Sequence, residues 1–364
     1  MKKIIFVLAL CLLLSGCMSW MDGAAYSIER HQDQPQKPGE SIIPVSNYNE
    51  LLEVVRGMVE QGTQNALLSV EDYSANALRS GLDRVVAYVR RTNPIAAYAV
   101  TDIRYELGTT SGISAVAITV TYSRSQEEIQ AIRTVHNMEQ AKSLLHEALG
   151  NCDSSLAIRI EWFENRDFSQ IVEDFAEQNP FVVMEIPTVT VTTYPDKGLE
   201  RVVDLRFSYQ TNRESLRNMQ KYVQPIFASA ALYVGSEEES DGLKYGRLYA
   251  FLMERSDYKL ETSITPAYSL LRHGVGDSRA FATVYSAMCR RAGLECMVVS
   301  GTCQGEARFW NIICEDGVHY HVDLLSGNGF SRRTDEEMTG YVWDYSAYPA
   351  CGEPQPPQES TAAN

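Results

Sequence analysis

Several features that would assign a function directly are missing from this chain. Past its first residues it has no apolar run long enough to cross a bilayer as a helix, which takes about 20 residues, so no internal spanning segment is expected. Basic residues are in deficit. Lys and Arg number 32 against 47 Asp and Glu, a formal net charge of -15. Phosphate backbones repel such a chain, and nucleic acid is excluded as an expected partner. There is no Cys-x-x-Cys pair and no compact Cys/His set with zinc spacing, so neither a metal nor any other cofactor is expected. Cys152, Cys289, Cys296, Cys303, Cys314 and Cys351 have no framework spacing for disulfides. Of these, Cys289, Cys296 and Cys314 sit in apolar runs and are expected in the core.

What is present begins at the N-terminus. Lys2 and Lys3 form a positive stretch, Ile4 to Leu14 a short apolar one, and Leu14-Ser15-Gly16-Cys17 follows. This order resembles the lipobox of bacterial lipoproteins. It implies a signal peptide at 1–17, with Cys17 carrying the lipid and becoming the mature N-terminus. The protein is then expected as an exported lipoprotein, held to the membrane of the bacterial cell surface or envelope through that anchor. Residues 18–42, with Pro35, Pro38, Gly39 and interleaved charge, are expected as a disordered tether.

The middle of the chain reads as a duplication. Asn93-Pro94 closes a helical stretch and leads to strands at 99–105 and 115–122. Asn179-Pro180 does the same ahead of strands at 188–194 and 201–209. Each strand pair mixes β-branched and polar residues in partial alternation, as half-buried hairpins do. Each second strand ends in Tyr and runs into a charged helix, at Ser125–Ile129 and Asn212–Leu216. Two α+β repeats are expected, at 43–130 and 134–215, with no catalytic constellation in either. A helical connector is expected at 216–261. Within it, Gly235 and the acidic run Ser236–Gly242 read as a solvated loop rather than a calcium site. A disordered tail is expected at 351–364.

Residues 262–350 carry the chemistry. Gly274 and Gly276 permit a tight turn into a helix, whose Phe281, Val284, Tyr285 and Met288 fall on one face. Gly293 ends it. Strands follow at Met297–Val299, Arg308–Ile313 and His319–Leu324, and the segment Thr302–Gly305 reads as a flexible loop.

The motifs Gly274–Ala282, Arg308-Phe309-Trp310-Asn311 and Tyr320-His321-Val322-Asp323 together resemble the core of the transglutaminase-like superfamily, over roughly residues 262–330. In that family a Gly-x-Cys turn opens a helix, a His-Ala-Trp-Asn strand supplies the base, and a Trp-Tyr-His-Val-Asp strand supplies the acid. The resemblance implies a papain-like, α+β core with Gly276, Trp310 and Asn311 supporting the motif. It puts Ser278 in the nucleophile position, Arg308 in the base position and Asp323 in the acid position.

Two of those three positions depart from the family's chemistry. A serine hydroxyl needs a positioned base, and a guanidinium with a pKa above about 12 cannot be one. Arg308 and Asp323 are instead expected to pair as ions, in an arrangement that allows two hydrogen bonds, keeping the geometry without the proton shuttle. The expected function is a surface-anchored, non-catalytic binding or scaffolding module whose partner is an envelope protein or peptide. The alternative is a weak hydrolase or acyl-transferase of transglutaminase or peptidase type. It would use Ser278 with His321 as a displaced base and Asp323, or Cys303 activated by Arg308.

Overall fold

The computed structural model describes residues 42–110, 112–235, 239–254 and 259–352. The expected signal peptide, Cys17 and almost all of the tether lie outside the described residues. So do Ser236–Glu238 of the acidic run and the tail beyond Gly352.

The first part of the chain is built as strand, helix, strand, helix and hairpin. β1 (Ile43–Pro44) leads to α1 (Tyr48–Gln61). The Asn47 side chain caps that helix by accepting from the N–H groups of Asn49 and Glu50. Leu51, Val55, Met58 and Val59 recur at helical spacing on its buried face. β2 (Asn65–Ser69), α2 (Ala75–Thr92) and the short α3 (Pro94–Ala99) follow. The hairpin β3 (Val100–Thr110) and β4 (Ile113–Tyr122) and a capping-box helix α4 (Gln126–Gln130) complete it.

The second part repeats the plan: β5 (Arg133–Val135), α5 (Met138–Asn151), β6 (Ser155–Ile160), α6 (Phe168–Gln178), β7 (Thr188–Tyr194) and β8 (Arg201–Ser208). The two sheets have the same strand order, β1-β2-β4-β3 and β5-β6-β8-β7. In each, the first pair is parallel and the others antiparallel. The two Asn-Pro turns differ in detail. Asn93 caps a fresh helix at Pro94, whereas Asn179 begins a turn that is not helical. A buried carboxylate ties the units together: Asp204 on β8 receives Arg124 from the end of the first unit at 3.0 Å and Arg206 at 3.2 Å.

The third part starts earlier than the spacing of motifs suggests. α7 (Arg213–Tyr233) and α8 (Asp241–Met253) were expected as a connector. Instead Leu216, Val223, Phe227, Tyr245, Leu248 and Phe251 share one core with the central helix of the last domain. Both helices carry an apolar stripe, and this shared core covers it. Then come β9 (Lys259–Leu260), α9 (Pro266–His273), β10 (Val275–Gly276) and α10 (Ser278–Arg291). All residues of α10 from Ala280 to Cys289 are buried.

A four-stranded antiparallel sheet covers that helix, in the order β13-β12-β11-β14. Its strands are β11 (Cys296–Cys303), β12 (Glu306–Glu315), β13 (Val318–Val322) and β14 (Tyr341–Trp343). Thr302 and Cys303, expected in a loop, are strand residues, because the β11–β12 turn needs only Gln304 and Gly305. The tail expected from residue 351 also begins later. Cys351 is buried against Val299, Trp310 and Trp343, and its N–H donates to Asp335 Oδ2 at 3.0 Å.

Candidate functional site

The site forms where the N-terminus of α10 meets β12. Gly274 has φ 67 at the end of α9, a left-handed turn that favours glycine. At Gly276 a Cβ would lie 3.2 Å from that of Ala280, so the chain enters α10 with little room. Asp277 caps the helix by accepting from the Ala280 N–H at 2.9 Å. Ser278 is therefore the first helical residue, at the positive end of the helix dipole. Its Oγ accepts from the Phe309 N–H at 3.2 Å, which sets the helix start against the strand next to Arg308.

Arg308 and Asp323 are joined by a two-pronged ion pair. Arg308 Nε donates to Asp323 Oδ2 at 3.0 Å, and one Nη donates to Oδ1 and Oδ2 at 2.9 and 2.8 Å. The carboxylate side chain is 1% exposed and the guanidinium 20% exposed. Asp323 also accepts from the Tyr341 hydroxyl at 2.6 Å and the Leu325 N–H at 2.9 Å. Burial and the Asp323 carboxylate push the Tyr341 phenol well above its ordinary pKa, so it stays a donor. Ser278, Arg308 and Asp323 thus converge at one partly exposed place.

His321 is not poised toward Ser278. Its ring is fully buried. The Trp310 indole N–H donates to Nδ1 at 2.9 Å, and Nε2 lies 2.9 Å from Asp335 Oδ1. Accepting from Trp310 requires Nδ1 to be bare, so Nε2 carries the proton and donates a hydrogen bond to Asp335. Burial lowers the pKa of His321, and the Asp335 contact only partly opposes this. A base committed on both nitrogens cannot take a proton from Ser278, and the displaced-base arrangement is absent. Cys303 lies at the end of β11, opposite Tyr341 on β14, and not at a helix start. Trp310 and Asn311 are both 0% exposed. Asn311 Nδ2 ties α10 to β11 by donating to the Ala282 and Met297 carbonyls at 2.9 and 3.2 Å.

Motif reading missed Tyr341, Asp335 and the strand β14. The alternation of Tyr341, Val342 and Trp343 is a short strand signal, but three residues are too few to stand out. It also missed a cavity of about 260 Å³ beside the helix start. Asp277 lines it from the helix cap, Arg279 and Thr283 from α10, and Val183, Met184 and Ile186 from the second α+β unit. Arg279 pairs there with Glu177 and lies over the Phe309 ring at 5.5 Å.

Residues 229–345 match the sequence family described as the transglutaminase-like superfamily. This part of the chain is a transglutaminase-like domain. The match begins inside α7, in keeping with the shared core of α7, α8 and α10. The sequence matches no curated protein. Solved structures similar to the chain include a TGase, 11% identical over 60% of this chain and 64% of that one, with a TM-score of 0.26. A proposed protease from Parabacteroides distasonis is 9% identical over 71% of this chain and 39% of that one, with a TM-score of 0.23. A proposed cysteine protease from Cytophaga hutchinsonii is 12% identical over 43% of this chain and 70% of that one, with a TM-score of 0.23. None of these likenesses is close enough to assign a residue role.

The state of His321 has a consequence for stability. Protonated His321 is disfavoured in the folded chain, whereas unfolded histidine titrates near 6.5. Below that value the unfolded state binds more protons, so the stability His321 confers is fully present above about 6.5 and is lost as pH falls. His146, stacked on Phe175 and also lowered by burial, acts in the same direction. Melting temperature followed from pH 8 to pH 5 should fall, and His321→Gln should flatten part of that slope. An unchanged slope would show that His321 is not held neutral.

Proposed function

We propose that the protein is an envelope lipoprotein, anchored through Cys17, whose transglutaminase-like domain binds a ligand without turning it over. The Arg308–Asp323 ion pair carries this reading. A thiol transferase of this design needs a neutral imidazole between nucleophile and acid, able to accept a proton and return it. Here that place holds a cation that never releases its proton, locked on the carboxylate by two prongs. Ser278 has the favourable helix dipole but no base, and its Oγ already accepts from the Phe309 N–H.

Binding is served by a neighbouring cavity, whose lining includes Asp277 and Arg279 but not Ser278, Arg308 or Asp323. The cavity beside Asp277 and Arg279 is mostly apolar, with a few polar groups converging on it, the usual make-up of a ligand pocket. An envelope protein or peptide offering an apolar side chain suits it. Amine-transfer, deamidation and peptidase substrates should all show no turnover with the wild-type protein. Turnover that disappears in Ser278→Ala or Cys303→Ser would overturn the reading.

Anchoring has its own test. In membrane fractionation, the wild-type protein should stay with the membrane until detergent is added, and Cys17→Ala should lose that retention. Equal retention of both proteins would remove the lipid anchor. A two-chain anchor holds stably, whereas one chain binds only marginally.

A further inference from the structure

One end of the last sheet gathers three side chains that neither the family motif nor the ligand cleft uses. Cys314 on β12 and His319 on β13 are direct cross-strand partners. Glu295 immediately precedes β11, where Cys296 pairs with Ile313, so it stands level with Cys314 on the other side. The result is a row of carboxylate, thiol and imidazole across three neighbouring strands. Their donor atoms all lie within 4.8 Å of one another.

The backbone behind this row is fixed. The buried Tyr245 hydroxyl bonds to the Glu295 and Cys314 carbonyls at 2.5 and 3.1 Å. The His319 carbonyl accepts from the Gly352 N–H at 2.9 Å. The side chains themselves are barely engaged. His319 Nε2 is 3.5 Å from Glu295 Oε1, beyond a good hydrogen bond, and Cys314 Sγ has no hydrogen-bond partner among the described residues. Cys314, expected in the core, is only half-buried; His319 is half-buried and Glu295 exposed.

We propose that Glu295, Cys314 and His319 form a binding site for a zinc-class divalent transition ion. Sulfur and nitrogen donors disfavour magnesium and calcium, which take oxygen. Zinc bonds of about 2.0–2.3 Å place neighbouring ligand atoms about 3.5 Å apart. Glu295 Oε1 and His319 Nε2 already stand at that spacing, 3.5 Å apart, and the Cys314 sulfur lies within 4.8 Å of both. Binding displaces the Cys314 thiol proton to solvent, leaves His319 neutral and keeps a fourth position open to water.

The site is separate from the degenerate centre. Arg308 and Cys314 are on the same strand, and a rise of about 3.3 Å per residue puts about 20 Å between them. A second gathering of ligand types, His321 with Asp335 and Cys351, does not qualify. There the Trp310 N–H occupies Nδ1 and forces the proton onto Nε2, so no ring nitrogen is free for a metal.

The test uses the full-length protein, reduced, freed of metal with chelator and titrated with Co(II). One equivalent should give a thiolate-to-metal charge-transfer band in the near ultraviolet and strong tetrahedral d–d bands in the visible. Zn(II) should bleach both and raise the melting temperature. Cys314→Ser should abolish the charge-transfer band, and His319→Ala or Glu295→Ala should weaken Zn(II) binding by about tenfold or more. Cys303→Ser should change nothing. Melting curves without metal check that each variant is folded. A wild-type protein without the band, or a band that survives Cys314→Ser, overturns the proposal. Neither result bears on turnover at Ser278.

Discussion

Replacing Trp310 with alanine is expected to destabilise the transglutaminase-like domain by about 4 kcal/mol, close to the whole stability of a marginal domain. The indole is fully buried. It packs edge-on against Tyr341 at 5.2 Å and Trp343 at 5.8 Å. Its room comes from Gly301, where a Cβ would lie 2.7 Å from the indole ring and 2.3 Å from the Val342 carbonyl oxygen. Alanine would open a cavity there and also strip His321 Nδ1 of its donor. The orphaned nitrogen alone costs about 1–3 kcal/mol. Trp310→Phe keeps much of the volume and loses the donor, so about 2 kcal/mol is expected. Urea unfolding by circular dichroism measures the loss. Thiol labelling of buried Cys351 and Cys296 reports it locally, because both sit in the affected domain. A Trp310→Ala protein within about 1 kcal/mol of wild type would mean the cluster is not what holds this sheet.

Much of this architecture is legible in the chain because local rules and tertiary packing agree. Thr188–Tyr194 alternates as a strand and forms one, and Arg201–Ser208 pairs with it. Asp277 caps a helix where the glycine turn suggests one. Reading failed where the deciding partner is distant in sequence. The strands Asn65–Ser69 and Ser155–Ile160 are short and become central only because a hairpin from far along the chain pairs with them. The apolar stripes of Arg213–Tyr233 and Asp241–Met253 are visible, but not that their partner is the helix at Ser278–Arg291.

The candidate site shows the same division. The expected pairing of Arg308 with Asp323 is present, but no motif says that the indole N–H will claim His321 Nδ1. Nor does any spacing reveal that Asp335, in an irregular segment, takes the other nitrogen. Hydrogen-bond commitment decides whether a histidine can act as a base, and commitment is a tertiary fact. The row of Glu295, Cys314 and His319 escaped notice for a related reason. A turn at Asp316-Gly317 makes Cys314 and His319 neighbours, while Glu295 comes from another strand.

The ion pair at the heart of the site should respond asymmetrically to the loss of either partner. Among the described residues, Arg308→Ala leaves Asp323 charged, 1% exposed and held by hydrogen bonds from Tyr341 and Leu325. Removing one member of a buried pair costs about 3–5 kcal/mol, and the partial exposure of Arg308 puts the expected loss near the lower bound, about 3 kcal/mol. Asp323→Asn is milder. The amide oxygen still accepts from one of the two donors, and Arg308, 20% exposed, can swing its charge into water. About 1.5–2 kcal/mol is expected, the lower part of the range for hydrogen bonds to a charged group. High salt should change neither figure much, because a buried pair is weakly screened. Denaturant unfolding of both single variants and the double variant measures the costs and their coupling. Equal costs, or a loss below 1 kcal/mol for Arg308→Ala, would mean that water reaches Asp323 freely. The acid position would then be open, and the reading of Arg308 as a lock on that position would fail with it.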